Sequence, residues 1–221
     1  MTRSIKEDTD LLQQALDHLS GADRHMADAI AEIGAPPPRH RPADFATLMD
    51  VIIAQQVSTA SARAISGRLT ERLSPQDSKR FGPEGFIALT EDDLRAVGFS
   101  PQKMAYGRDL AAAFLDGRVS IAKLRRMSDE AAIAALSSVK GIGRWSAEVF
   151  LLFSLKRPDV MPAQDLALLV AAQRLKGLRA RPEPKKLLKL AEPWRPFRSY
   201  GARMLWHYYR NGKGGIGGQP L

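Results

Sequence analysis

The sequence predicts an all-α protein. Three observations carry that prediction: apolar residues recur at helical spacing, cap residues and glycine or proline stops bracket short segments, and no stretch sustains a period-two alternation. "DTDLLQQALDHLSG" (8–21) opens on cap-forming residues and closes on Gly21, and a second short helix runs to Gly34. The linker "GAPPPRHRP" follows. In "ADFATLMDVIIAQQ", Phe45, Leu48, Met49, Ile52 and Ile53 stand at i, i+3, i+4, i+7 and i+8, one buried face of a core helix. "STASARAISGRLTERL" continues as a helix. "TEDDLRAVG" has a Thr90 cap and a Gly98 stop, and "SPQKMAYGRDLAAAFLDG" has a Ser100 cap with Pro101 in its first turn. "MSDEAAIAALSSV" and "RWSAEVFLLFSLK" read as two more helices, the latter ended by Pro158. The glycine-rich tail, 212–221, is expected to be flexible. No internal repeat is visible.

Composition narrows the function classes. The 221 residues, 44% of them hydrophobic, suffice for one large domain or two small ones with a proper core. With no cysteine, the sequence excludes disulfides, cysteine-ligated zinc, iron–sulfur clusters and a thiol nucleophile. The N-terminal stretch lacks the apolar region of a signal peptide and no run approaches a membrane span, so a cytoplasmic protein is expected. Lys+Arg outnumber Asp+Glu by 33 to 24, a net charge of +9. The excess lies mainly after Arg118, in "RVSIAKLRRM", "LKRPD", "RLKGLRARPEPKKLLK" and "WRPFRS". A regional excess fits a surface that meets nucleic acid, although a solvated charged face would look the same on charge alone.

"SSVKGIGRWSAE" (137–148) joins two of the predicted helices through Gly141, Ile142 and Gly143. Glycines there permit positive φ and close approach by another backbone, and the N–H groups opening the next helix make a seat for a phosphate, with Lys140 and Arg144 adding charge. An ordinary helical corner with a glycine C-cap explains these few residues equally well.

The sequence downstream separates these readings. "VKGIGRWSAEVFLLFSLKRPDVMPAQDLALL" resembles the helix-hairpin-helix DNA glycosylase superfamily, whose pattern is a GxG hairpin, a helix, a proline-containing loop and an aspartate, here Asp165. "IIAQQVS", "GFSPQKMAYGRDLA", "GIGRWSAE" and "WRPFRSY" are more narrowly similar to the 3-methyladenine DNA glycosylase II family, and they span Ile52 to Trp206. The resemblance implies one glycosylase domain over 1–211, with two helical subdomains flanking a DNA-binding and active-site cleft and the hairpin at 137–148. Longer family members carry an N-terminal β domain that this chain is expected to lack.

The chemistry fits the resemblance. Asp165 stands at a helix N-terminus, where the dipole and N–H groups suit an anion. Cleaving an N-glycosidic bond builds positive charge on the sugar, which a fixed carboxylate stabilises while it orients or deprotonates water. Taken alone, an aspartate in such a place is far more often a plain N-cap, and it is the position after the hairpin in the family pattern that favours the catalytic role. Strand-cutting members of the superfamily keep a lysine two positions after the second glycine, and this chain has Trp145. That implies base removal without lyase activity. The base pocket maps to Trp145 and Trp206, with Tyr200 a weaker candidate, because alkylated purines are cationic and bind aromatic faces. Core packing is the alternative for all three. A flipped base leaves a gap, and the matching wedge is Gln56 with Val57 beside it; Gln55 and Gln56 could also simply mark a polar helix end.

Arg198 could contact DNA or pair with an internal carboxylate. "RLKGLRARPEPKK" reads as a solvated loop. The four histidines have no ligand spacing, so no metal site is expected from them. No cofactor is implied beyond a monovalent cation on hairpin backbone carbonyls. The expected partner is duplex DNA with alkylated bases, met by a monomer at the nucleoid and not at a membrane. Two rival readings stay open: a non-catalytic helix-hairpin-helix DNA-binding protein, and a glycosylase for deaminated or oxidised bases.

Overall fold

The computed structural model describes residues 2–73 and 81–213, and all regular structure among them is helical. In chain order the first helices are α1 (Thr2–Ala22), α2 (Arg24–Ile33), α3 (Phe45–Ala54), α4 (Thr59–Leu73), α5 (Pro83–Ala88), α6 (Glu91–Val97) and α7 (Pro101–Leu115). Then come α8 (Ile121–Leu124), α9 (Asp129–Ser137), α10 (Arg144–Phe153), α11 (Leu166–Leu175), α12 (Pro184–Leu190) and α13 (Arg198–Asn211), with a 3₁₀ turn at Glu192–Trp194. The chain divides into two compact units: residues up to Arg39 with those from Lys156 onward, and His40–Leu155. No helix among the described residues is long and apolar enough to cross a membrane.

In the His40–Leu155 unit, α3 is the core element. The five residues of its predicted apolar face are all buried, and α3 packs against α4 and α7. Phe45 meets Phe81, Phe86 and Phe114 edge-to-face, which locks the start of α3 into an aromatic cluster. Gly107 is required for that cluster, because a Cβ there would lie 2.5 Å from the Phe86 ring. The caps of α6 and α7 form as read: Thr90 and Asp93 make a capping box, and Ser100 accepts from the Lys103 N–H.

The other unit is built on α1, α2, α11 and α13, with Leu19, Met26, Leu168, Met204 and Trp194 in its core. Asp23 begins α2: its backbone is extended and it accepts the His25 N–H at 3.0 Å. The same carboxylate accepts the Trp194 indole N–H at 2.8 Å and pairs with Lys176. One buried anion therefore ties the start of α2 to the end of α11 and to the turn before α13. Burial alone would raise its pKa, but the hydrogen bonds from Lys176, Trp194 and His25 outweigh burial and hold it below the ordinary aspartate range.

Several boundaries differ from the sequence reading, each for a local reason. α1 starts earlier than Asp8 and runs through Gly21 to Ala22, because the break is made by Asp23 capping the next helix. α10 stops at Phe153, short of Pro158, and Lys156 then takes a left-handed conformation (φ 57°). The end of "RLKGLRARPEPKK" is the first turn of α12 rather than loop. Most of the expected flexible tail, 214–221, lies outside the described residues.

Asp23→Ala should cost about 3 kcal/mol of stability at neutral pH, because it strands the half-buried Lys176 ammonium and a buried indole N–H. A depressed carboxyl pKa stabilises the fold fully above the unfolded value of about 3.9, and that contribution disappears as pH falls through the folded value. Urea unfolding of wild type and variant should therefore converge in strong acid; an undiminished difference there would contradict the network.

Candidate nucleic-acid interface and active site

Hydrophobic anchors shape the turn between α9 and α10. Val139 and Ile142 are buried, and the Ile142 N–H closes the turn on the Val139 carbonyl at 3.1 Å. Gly141 between them is left-handed (φ 84°), and a side chain on it would collide with the Tyr106 ring of α7. Gly143 is different. Its φ is −84°, it is the N-cap of α10, and a Cβ on it would meet no protein atom within 4 Å. Of the two glycines, one is required by the protein's own packing, while the other leaves an open approach to a helix N-terminus with no capping side chain.

α7 holds this turn from one side. Asp109 accepts the Lys140 backbone N–H at 2.8 Å and is bridged by Arg118 at 3.1 Å. That N–H, followed by Arg118, holds the Asp109 carboxyl below its ordinary range despite partial burial. The end of α3 holds it from another side, where the Gln55 side-chain amide donates to the Gly141 carbonyl at 2.6 Å. Hairpin, α3 end and α7 border a groove of about 780 Å³ lined by six of the predicted residues: Gln56, Val57, Lys140, Gly141, Ile142 and Gly143. Val57 is 38% exposed, and Gln56 is exposed in a left-handed conformation (φ 57°). Turn carbonyls, Val139 among them, keep a second lone pair that suits a hard monovalent cation.

Arg144 plays a part the sequence reading did not anticipate. Its guanidinium pairs with Glu130 of α9 at 2.6 Å and with Glu148 of α10 at 2.9 Å. It braces the two helices of the hairpin while remaining 46% exposed, and Lys140 at the turn is exposed as well. Glu148 is buried, and burial pushes its pKa up to about 6. Trp145, one residue on, is 40% exposed.

The remaining predicted residues lie in the other unit. Asp165 is the N-cap of α11, 6% exposed, and accepts the Leu168 N–H at 3.0 Å. Its own N–H donates to the Pro162 carbonyl at 3.0 Å, so the proline loop fixes the backbone that carries it. The next residue, Leu166, is 57% exposed beside that carboxylate. Trp206 and Tyr200 are half-buried on α13, which packs against α11. Tyr200 has the Arg203 guanidinium over its ring at 5.3 Å. Arg198 grips Asp159 through Nε at 2.8 Å and Nη2 at 3.1 Å. Ser199 receives the Val160 N–H and donates to the Arg157 carbonyl, so the start of α13 pins the loop that leads to Asp165. Arg198 is thus the internal ion pair of its two sequence readings.

Sequence reading gave no role to Tyr106, Asp109, Lys103 or Asp159. Three of these stand in "GFSPQKMAYGRDLA", a stretch that carried the resemblance without any assignment. Among the described residues no cluster of three or more His, Asp or Glu could hold a metal.

Residues 49–196 match the family described as HhH-GPD superfamily base excision DNA repair protein. DNA-3-methyladenine glycosylase 1 of Schizosaccharomyces pombe is 32% identical over 93% of this chain and 92% of its own length. A solved 3-methyladenine DNA glycosylase of the same yeast, in complex with abasic DNA, superposes with a TM-score of 0.77 at 31% identity, covering 89% of this chain and 96% of that one. A DNA-3-methyladenine glycosidase from Bacillus halodurans gives a TM-score of 0.79 at 28% identity, covering 88% of each chain.

The two glycines should respond oppositely to alanine. Gly141→Ala should cost about 2 kcal/mol or more in stability, from left-handed strain and the Tyr106 collision. Gly143→Ala should cost less than about 1 kcal/mol yet weaken duplex binding roughly tenfold. Thermal unfolding and fluorescence anisotropy check this; unchanged duplex affinity in Gly143→Ala would contradict an approach at that face.

Proposed function

The chain belongs to the HhH-GPD superfamily of base excision DNA repair proteins, and from that premise we propose that it is a monofunctional DNA glycosylase that hydrolyses alkylated purines, such as 3-methyladenine and 7-methylguanine, from duplex DNA. The observation that carries this reading is Asp165: a buried carboxylate at a helix start, on a backbone fixed by a proline loop. The names of its relatives, 3-methyladenine glycosylases of both yeast and bacteria, support the substrate class.

The hairpin takes the duplex backbone at the open face of Gly143, with Lys140 neutralising a phosphate. The damaged nucleotide rotates out, and Gln56 with Val57 fills its place in the stack. Trp145, Trp206 and Tyr200 offer aromatic faces to the cationic base. The bond from C1′ to the purine breaks with its electron pair going to the base, which leaves as a neutral purine and needs no general acid. Asp165 stabilises the oxocarbenium-like sugar and takes the proton of the water that adds to C1′, then returns it to solvent. With Trp145 where lyases hold lysine, no Schiff base forms and the abasic strand stays intact. A monovalent cation on turn carbonyls such as that of Val139 would add positive charge to the phosphate seat, and no step depends on it. The protein acts as a monomer on nucleoid DNA in the cytoplasm.

Asp165→Asn should lower release of 7-methylguanine from methylated duplex at least about 100-fold while leaving duplex affinity nearly unchanged. Base release by that variant at the wild-type rate would leave a DNA-binding protein whose Asp165 only caps a helix. Across a panel of damaged duplexes the wild type should prefer cationic lesions; preference for an uncharged deaminated or oxidised base would contradict the aromatic pocket.

A further inference from the structure

The turn after α3 is an unusual piece of backbone. Gln55 is extended (ψ 130°), and Gln56 is one of two non-glycine residues among those described with positive φ. A left-handed glutamine costs free energy and persists only where its surroundings over-determine it. Two contacts do so. The buried Lys103 ammonium donates to the Ile53 carbonyl at 2.6 Å, satisfying a carbonyl that the end of α3 leaves unpaired. The Gln55 amide donates at 2.6 Å to the carbonyl of Gly141, a residue 86 positions away and itself left-handed. A single side chain therefore ties two left-handed residues of the groove together, Gln56 in the wedge and Gly141 inside the turn.

We propose that Gln55 is a positioning residue that couples the Gln56–Val57 wedge to the hairpin, so that the side chains entering the duplex are set in register by the turn that grips its backbone. The inference rests on Gln56 and Val57 acting as the wedge. Flipping a base requires the gap-filling group to be aimed while the strand is held, and a wedge on a free loop would lose that aim by reorienting. The hydrogen bond removes that freedom. It also fixes the chemistry demanded at position 55: a donor at the end of a two-methylene stem, facing a carbonyl oxygen. A carboxylate of the same length fails there because two acceptors face each other, and it succeeds once protonated. The charged and titratable groups around the strut are Lys103, Tyr106 and Asp109 of α7 and Lys140 of the hairpin. Wild type shares them all, so comparison with it at each pH removes their contribution.

The test is a binding ratio that needs no catalysis: affinity for a duplex with a tetrahydrofuran abasic analogue, whose gap the wedge fills, over affinity for the same duplex undamaged. In wild type the ratio should exceed one at both about pH 8 and about pH 5.5. In Gln55→Glu it should fall roughly tenfold at the higher pH and recover at the lower, where a partly buried carboxyl is protonated. Gln55→Met, of similar length with no donor, should show the loss at both. A purely structural defect would weaken both duplexes alike and would not recover with acid in one variant alone. Unchanged ratios, equal losses on the two duplexes, or no acid recovery in Gln55→Glu would overturn the coupling. Base release by wild type on methylated duplex, measured alongside, reports separately on the glycosylase reading.

Discussion

A left-handed glycine pressed against an aromatic ring sets the geometry on which the candidate interface depends. Gly141 can turn the chain between α9 and α10 only because it has no side chain to meet Tyr106. With the turn fixed, Val139 and Ile142 reach the core on either side of it, the Lys140 N–H meets Asp109, and the Gly141 carbonyl faces Gln55. Arg144 then closes the structure from behind by pairing with a glutamate on each of the two helices. What remains outward is the face of Gly143 and the start of α10. The protein's own contacts satisfy one side of the turn and leave the other open.

Electrostatics divide along the same line. Arginines near the site hold the protein together: Arg118 on Asp109, Arg144 on Glu130 and Glu148, Arg195 and Arg198 on Asp159. Arginine suits this work because its planar fork spans two acceptors at once. Lysines differ in the same way: Lys103 is buried on a carbonyl and half-buried Lys176 pairs with a carboxylate, whereas Lys140 is exposed beside the hairpin.

Much of this was legible in the sequence where the signal is local. The α3 periodicity, the Thr90 and Ser100 caps and the Gly98 stop each rest on residues within a turn or two of one another, and they stand where they were read. α5, α8 and α12 were not visible, because helices of 6, 4 and 7 residues are too short to express a period and, unlike the equally short α6, they have no side-chain cap to mark their start. Gln55 read as a polar helix end, since nothing near it signals a carbonyl 86 positions away. Gly141 and Gly143 are equivalent as letters; only the position of Tyr106 distinguishes a glycine the fold requires from one with open space before it. The pairing of Arg144 with Glu130 and Glu148 was not visible, because sequence gives the sign of a charge and not its partners.

The central claim is that Asp165 stabilises positive charge developing on the sugar. The most direct measurement is the affinity of the protein for a duplex carrying a cationic pyrrolidine in place of the abasic sugar, relative to its neutral tetrahydrofuran counterpart. Wild type should favour the charged mimic by about tenfold or more, and Asp165→Asn should bind the two alike. A preference for the cation that survives in Asp165→Asn would contradict the account.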